Sequence, residues 1–296
     1  EVPSRQAQQE ETAEPIVGEV IEEPSPFVEQ VTADAERLSA EDEPYHREPI
    51  TYEAPYLDNL PTAPREKFAA NIAAIQKLKE IEQRVANGGS PAFEDEQKIL
   101  AQYTGWGGLS DAFDPNKSTW SNEYSQLKAA LSESEYEAAR SSTLTAFYTP
   151  ATVIHPIYRA LERFGVKGGK ILEPSMGTGA FLAHGHFGSS DAKFYGVELD
   201  SITGRISKQL YQKANIQVTG YENALLPDNY FDCVIGNVPF GNFQVNDPQY
   251  NRLHFPIHDY FFAKSIDKLR TGGIMAFITS SDTLDKKDDR ARKYIA

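Results

Sequence analysis

Between residues 64 and 141 the apolar positions recur at the three- and four-residue spacing of a helix. Phe68, Ile72, Ile75, Leu78, Ile81 and Val85 form one stripe, with Pro64 suited to its first turn and Gly88-Gly89 to its end. A second short helix is predicted from Ser90-Pro91 through Leu100. Ser132 followed by Glu135 has the spacing of a capping box and opens a helix toward Arg140. From residue 170 the pattern changes. Short apolar runs at 170–172, 193–197, 216–218, 231–236 and 273–279 each lead into turn residues and alternate with helical segments. One such helix runs from Ile202 to Tyr211 with Ser201 as its cap, and another from Asp259 to Leu269. Thr271-Gly272-Gly273 is read as the turn before the fifth strand. Strand and helix in alternation predict an α/β fold whose parallel sheet is covered on both faces.

Charge divides the chain differently. Of the formal net charge of −14, residues 1–44 supply −11, from 13 acidic and two basic side chains. Residues 1–60, rich in Glu, Pro, Ser and Gln, cannot bury enough apolar surface to offset the entropy of ordering and are expected to be a disordered acidic linker. A DNA-mimicking or docking strip is the alternative reading of that tail. Residues 61–145 are then expected to form a helical subdomain and 146–296 an α/β core. One cysteine, Cys233, excludes a disulfide framework and points to a reducing, cytoplasmic setting. No apolar run is long enough to span a bilayer. The six histidines lack ligand spacing, so no metal is expected. The chain opens on Glu1 rather than Met, as a fragment of a longer protein would.

Candidate chemistry gathers at the predicted strand ends. Ile171 to Phe181 reads ILEPSMGTGAF, an apolar strand running into a glycine turn and then a helix. Gly177 and Gly179 admit a ligand close to the main chain, where the free N–H groups of the helix start face it. A dinucleotide site uses a similar turn, but Leu182 stands where its third glycine would be. Glu173, followed by Pro174, puts a carboxylate at the strand tip, which would repel a pyrophosphate and attract a cationic amino-acid group. Glu198, at the tip of the second strand, can accept hydrogen bonds from both hydroxyls of a ribose, and Asp200 is a weaker candidate. Upstream, Phe147, Tyr148, Thr149 and Pro150 read F-Y-T-P. Thr149 and Pro150 suit the N-cap and first position of a helix whose interior Pro156 predicts a kink or a late start. Phe147 and Tyr148 would lie beside the glycine turn.

Two readings stand for Trp106 in the stretch Tyr103 to Leu109, YTGWGGL: a packing anchor, which is favoured, or a base-stacking platform. Cys233 lies inside the fourth strand and reads as a core thiol rather than a nucleophile. The aromatic residues Phe243, Tyr250 and Phe255 after that strand either close over a substrate or anchor their own loop.

Asn237-Val238-Pro239-Phe240 resembles the N-P-P-[YF] signature of amino-methyltransferases. In the order F-x-T-P, E-P-x-x-G-x-G, an acid and N-x-P-F, the chain resembles the gamma group of adenine-N6 DNA methyltransferases. From about residue 64 it also resembles the methyltransferase segment of large methyltransferase–helicase proteins of conjugative elements and phages. The resemblance implies a Rossmann-like class I sheet that binds S-adenosylmethionine, incomplete at its C-terminal side and preceded by a helical N-terminal extension. It further implies methyl transfer to the N6 amino group of a flipped adenine in DNA. The Asn237 side-chain carbonyl and the Val238 main-chain carbonyl would accept the two amino hydrogens, and Phe240 would stack on the base. Valine in place of the first proline leaves the main-chain acceptor intact. Glu222 resembles the acid that contacts the cofactor's adenine; Asn223 could substitute, or the pair could simply form a turn. DNA is the implied partner, with a C-terminal recognition domain and a helicase expected in the full-length protein of a bacterial or phage-infected cell. Methylation of another amino group (protein glutamine, RNA guanine, cytosine N4) and a non-catalytic anti-restriction module are the competing readings.

Overall fold

The structure is a computed structural model of the 296-residue chain and describes residues 48–51, 60–143, 149–185 and 192–296, apart from the side chains of Asp282 and Leu284. The described residues belong to one compact unit, Asp42–Ala296. Residues 1–47 and 52–59 of the acidic linker, Phe147 and Tyr148 lie outside the described residues; Ile50 and Thr51, expected to be disordered with the rest of the linker, instead pair with Gln212 and Tyr211.

The N-terminal helices are α1 (Pro64–Ala86), α2 (Glu94–Leu100), α3 (Ser121–Ala130) and α4 (Glu133–Ser142). The predicted stripe of α1 is the buried face from Phe68 to Ile81, whereas Val85 is exposed. α2 starts later than Ser90-Pro91 suggested. Its first turn is fixed by Glu96, whose carboxylate accepts from the Phe93 N–H (2.9 Å) and pairs with Arg84. Ser132 and Glu135 cap α4 reciprocally, as their spacing predicted. Trp106 is buried, edge-on to Phe113 at 5.3 Å, which makes it a packing anchor. Its loop is tied to α1 by buried Asn71, which accepts from the Thr104 N–H and donates to the Gly105 carbonyl.

The chain then continues α5 (Ala151–Arg163), β1 (Lys170–Glu173), α6 (Ala180–His184), β2 (Lys193–Glu198), α7 (Ser201–Leu210), β3 (Asn215–Val218), β4 (Phe231–Asn237), α8 (Ile257–Lys268), β5 (Leu269–Ile278), α9 (Asp282–Asp285) and α10 (Arg290–Ile295). The five strands pair in parallel in the order β3-β2-β1-β4-β5. All five predicted strands exist. The Thr-Gly-Gly turn is instead an irregularity inside β5: Phe231 pairs with Leu269 but Cys233 with Ile274, and Gly272 takes φ +78° within the intervening residues.

Three further helix starts differ from expectation. α5 begins at Ala151 with Pro150 as its N-cap, and it runs through Pro156. α7 is capped by Asp200, not Ser201, because the longer carboxylate reaches the Thr203 N–H (2.8 Å) and hydroxyl (2.6 Å). α8 starts at Ile257, two residues early, where Pro256 sets the N-cap and the Ile257 N–H donates back to Phe243.

One hydrophobic cluster joins α1–α4 to Ile202, Ile206 and Leu210 of α7. At its edge Arg205 of α7 pairs with Glu82 of α1 and Glu135 of α4. The pairing with Arg205 and Lys79 holds Glu135 at about 2 against the opposing effect of burial. The helical layer therefore braces the helix that follows β2, and with it the β2 tip.

Candidate active site

The strand order reverses direction between β1 and β4, whose neighbouring C-terminal tips carry the glycine turn and the Asn-Val-Pro-Phe corner. In open parallel sheets such a switch point leaves a crevice for a ligand. The two loops meet there: the Ser175 hydroxyl donates to the Asn237 main-chain carbonyl at 2.9 Å.

The bend is held in shape by its glycines. Gly177 and Gly179 have φ of +56° and +78°, values that disfavour side chains. A Cβ at Gly179 would lie 2.3 Å from the Tyr211 ring. Ser207 of α7 donates to the Gly177 carbonyl (2.7 Å), and the Met176 N–H donates to Val197 (3.0 Å). Glu198 joins β2 to the bend: one carboxylate oxygen accepts from the Gly177 N–H (2.7 Å) and the other from the Asp200 N–H (2.8 Å). Burial pushes Glu198 up to about 7, despite those two hydrogen bonds. Asp200, the weaker ribose candidate, spends its carboxylate on capping α7.

Glu173 is buried at the end of β1, and its Oε2 has no hydrogen-bond partner among the described residues. Burial, followed by the neighbouring Glu198 charge, raises its pKa well above the carboxylate range. A protein that buries an acid without a partner bears a cost of roughly 1–3 kcal/mol or more, which a cationic ligand group would offset. Glycines that only a side-chain-free backbone can occupy and an orphaned buried acid beside them fit the amino-acid end of S-adenosylmethionine. Glu198 stands one strand further out, where a ribose would follow.

Asn237 ends β4. Its Nδ2 donates to the Thr149 hydroxyl (3.2 Å), which turns Oδ1 the other way; that oxygen is buried without a partner among the described residues. The structure thus brings Thr149 to the Asn237 side chain, a link the sequence spacing did not reveal. Val238 is buried with its N–H donating to Ile278 (3.1 Å), Pro239 is half-buried, and the Phe240 ring is half exposed at the corner. Pro174 packs beside Gly236 at the β1–β4 junction. The loop aromatics divide: Tyr250 and Phe255 are buried anchors, whereas Phe243 remains exposed and lies over Gly241. Cys233 is fully buried, and burial pushes its thiol up to about 12, so it is no nucleophile.

Glu222 lies in a short turn after β3. Its carboxylate accepts from Asn223 (3.0 Å) and folds back over Gly220. Two groups escaped the sequence reading. Leu199 and Leu225 are 76% and 57% exposed, apolar side chains next to Glu198 and the Glu222 turn. Their signal was faint, because a single leucine after a strand carries no periodicity. Basic residues near the C-terminus are largely paired, Arg290 with Asp288 and Lys293 with Asp289, while Lys286 pairs with the buried Asp259. Among the described residues no helix is long and apolar enough to cross a membrane.

Comparison with known proteins gives the site its context. The chain is 28% identical over 238 residues to the Defense against restriction protein B of Escherichia phage P1, a match covering 79% of this chain and 9% of that protein. It is 31% identical over 140 residues to the Modification methylase CviBIII of Paramecium bursaria Chlorella virus NC1A, covering 46% of this chain and 37% of that protein. The chain therefore spans well under half the length of either relative. A solved structure of a putative class I S-adenosylmethionine-dependent methyltransferase from Listeria monocytogenes aligns with a TM-score of 0.44 and 16% identity, covering 76% of this chain and 77% of that one. Residues 127–296, which carry the glycine bend, Glu198 and the Asn-Val-Pro-Phe corner, match the Eco57I restriction-modification methylase. With S-adenosylmethionine as its cofactor and a five-stranded parallel sheet as its frame, the chain belongs to the Eco57I restriction-modification methylase family.

Proposed function

We propose that the chain transfers a methyl group from S-adenosylmethionine to the N6 amino group of an adenine flipped out of DNA. The observation that carries this reading is the orphaned, buried Oδ1 of Asn237, fixed by Thr149 and adjoining the cofactor bend through Ser175. An aromatic amino nitrogen is a poor nucleophile because its lone pair is delocalised into the ring. Asn237 Oδ1 accepts one amino hydrogen and the Val238 carbonyl the other, which draws the nitrogen toward a pyramidal, nucleophilic shape. Pro239 stiffens the corner, and half-exposed Phe240 offers a ring face on which the base stacks. When bound, S-adenosylmethionine supplies an electrophilic methyl on a sulfonium.

Glu173 and Pro174, with Gly177 and Gly179, hold the amino-acid end of the cofactor, and Glu198 takes the ribose hydroxyls. Glu222, Leu199 and Leu225 line the adenine end, and Thr149 holds the Asn237 side chain at the corner. Positioning and fixed dipoles supply the rate, without a covalent enzyme intermediate. DNA is the partner, and sequence recognition belongs to parts of a longer protein.

The test is a labelled-methyl assay on unmethylated duplex DNA, followed by nucleoside analysis. N6-methyladenine is the expected product. Label in N4-methylcytosine would replace this substrate assignment with the cytosine amino group, and absence of label from DNA would contradict it.

A further inference from the structure

We propose that Lys264, a buried lysine in the middle of α8, couples the cofactor side of the site to the target side. This rests on the methyltransferase reading above and assigns a positioning residue within it.

Lys264 is 5% exposed and reaches two loops at once. Its ammonium donates to Asp247 Oδ2 at 2.9 Å and to the Glu222 main-chain carbonyl at 3.4 Å. Glu222 belongs to the turn at the cofactor's adenine end, and Asp247 belongs to the loop that follows Phe240. Asp247 is the knot of that loop: its carbonyl accepts from the Tyr250 and Asn251 N–H groups, its Oδ1 from Gln249, and its Oδ2 also from the Tyr260 hydroxyl at 2.8 Å. The ammonium lies 5.0 Å from the Tyr221 ring, 5.9 Å from Tyr260 and 6.0 Å from Tyr250, an aromatic surround that favours a cation.

A surface lysine would serve if the loop only needed solubility. Burying an ammonium is costly, and burial lowers the Lys264 pKa against the pull of Asp247. An apolar residue would pack α8 as well but could not hold a carboxylate and a carbonyl from different loops in one geometry. A cofactor that fixes the Glu222 turn therefore steadies, through one ammonium, the loop beside the base.

Hydrogen exchange on the full chain, with and without S-adenosylhomocysteine, tests this. In the native chain the ligand is expected to slow exchange of the amides of residues 243–253 by about fivefold or more, the low end of typical coupling between sites. In the paired variant Asp247→Asn, Lys264→Met, which leaves neither charge buried alone, that protection should fall below about twofold while the amides of α1 exchange as before. Tyr260→Phe removes only one hydrogen bond to Asp247 and should lower the protection by about half, which keeps the test decisive if the paired variant does not fold. Equal ligand-induced protection in the native chain and in either folded variant would overturn the coupling. Absence of any calorimetric signal for S-adenosylhomocysteine with the native chain would overturn the cofactor site itself, and the coupling with it.

Discussion

Replacing Asn237 by alanine is expected to lower methyl transfer by at least about 10²–10³-fold while leaving cofactor affinity within about threefold of native. In the proposed site the variant deletes the side-chain acceptor for the amino group. It touches none of the backbone that shapes the glycine bend, because the Ser175 bond goes to the Asn237 main-chain carbonyl. Stability should change little: Asn237 Oδ1 has no partner to lose among the described residues, and the 3.2 Å bond to Thr149 is an ordinary neutral one worth about 1 kcal/mol. Transfer assayed beside calorimetry separates the two effects. Activity close to native would remove Asn237 from the chemistry.

Glu173→Gln should act in opposite directions on stability and binding. The chain holds two acids, buried Glu173 and half-buried Glu198, whose folded-state pKa values lie above the unfolded value of about 4.5. Groups shifted upward stabilise the fold below the unfolded pKa, and that contribution is lost as pH rises through the folded one. The native chain should therefore lose stability as pH rises above about 4.5, with Glu198 contributing up to about 3 kcal/mol of the decline by about pH 7 and Glu173 adding to it in the same direction. Glutamine keeps the shape of Glu173 and cannot ionise. The variant should unfold at higher denaturant than native at pH 8 and show a shallower pH dependence. Its affinity for S-adenosylmethionine should fall at least about tenfold, because the charge-assisted contact to the ligand's amino group is lost. Melts at pH 5 and pH 8 beside calorimetry check both signs. A variant that is less stable at pH 8, or binds the cofactor as tightly as native, would show that Glu173 serves the fold and not the ligand.

Much of this site could be read from residue order alone, for a physical reason. Glycines at a bend, an acid at a strand tip and a proline-stiffened corner act through backbone geometry, and backbone geometry is local in sequence. The five strands were legible because each is a short apolar run with a clear end. Side-chain reach was not legible. The cap of α7 went to Asp200 over Ser201 because of where one carboxylate could extend. The Thr-Gly-Gly segment carries turn residues and does bulge, but β4 holds it inside one strand. Thr149 meeting Asn237, and Lys264 meeting both Glu222 and Asp247, join residues far apart in the chain and leave no local signature.

The central claim is that bend and corner form one site. A crystal structure of the chain with S-adenosylhomocysteine measures it most directly. The account predicts the ligand's amino group at Glu173, its ribose hydroxyls at Glu198 and its sulfur turned toward Asn237 Oδ1, on the order of 5 Å away, room for a methyl group and a nitrogen in line. A ligand seated elsewhere, or with its sulfur directed away from Asn237, would contradict it.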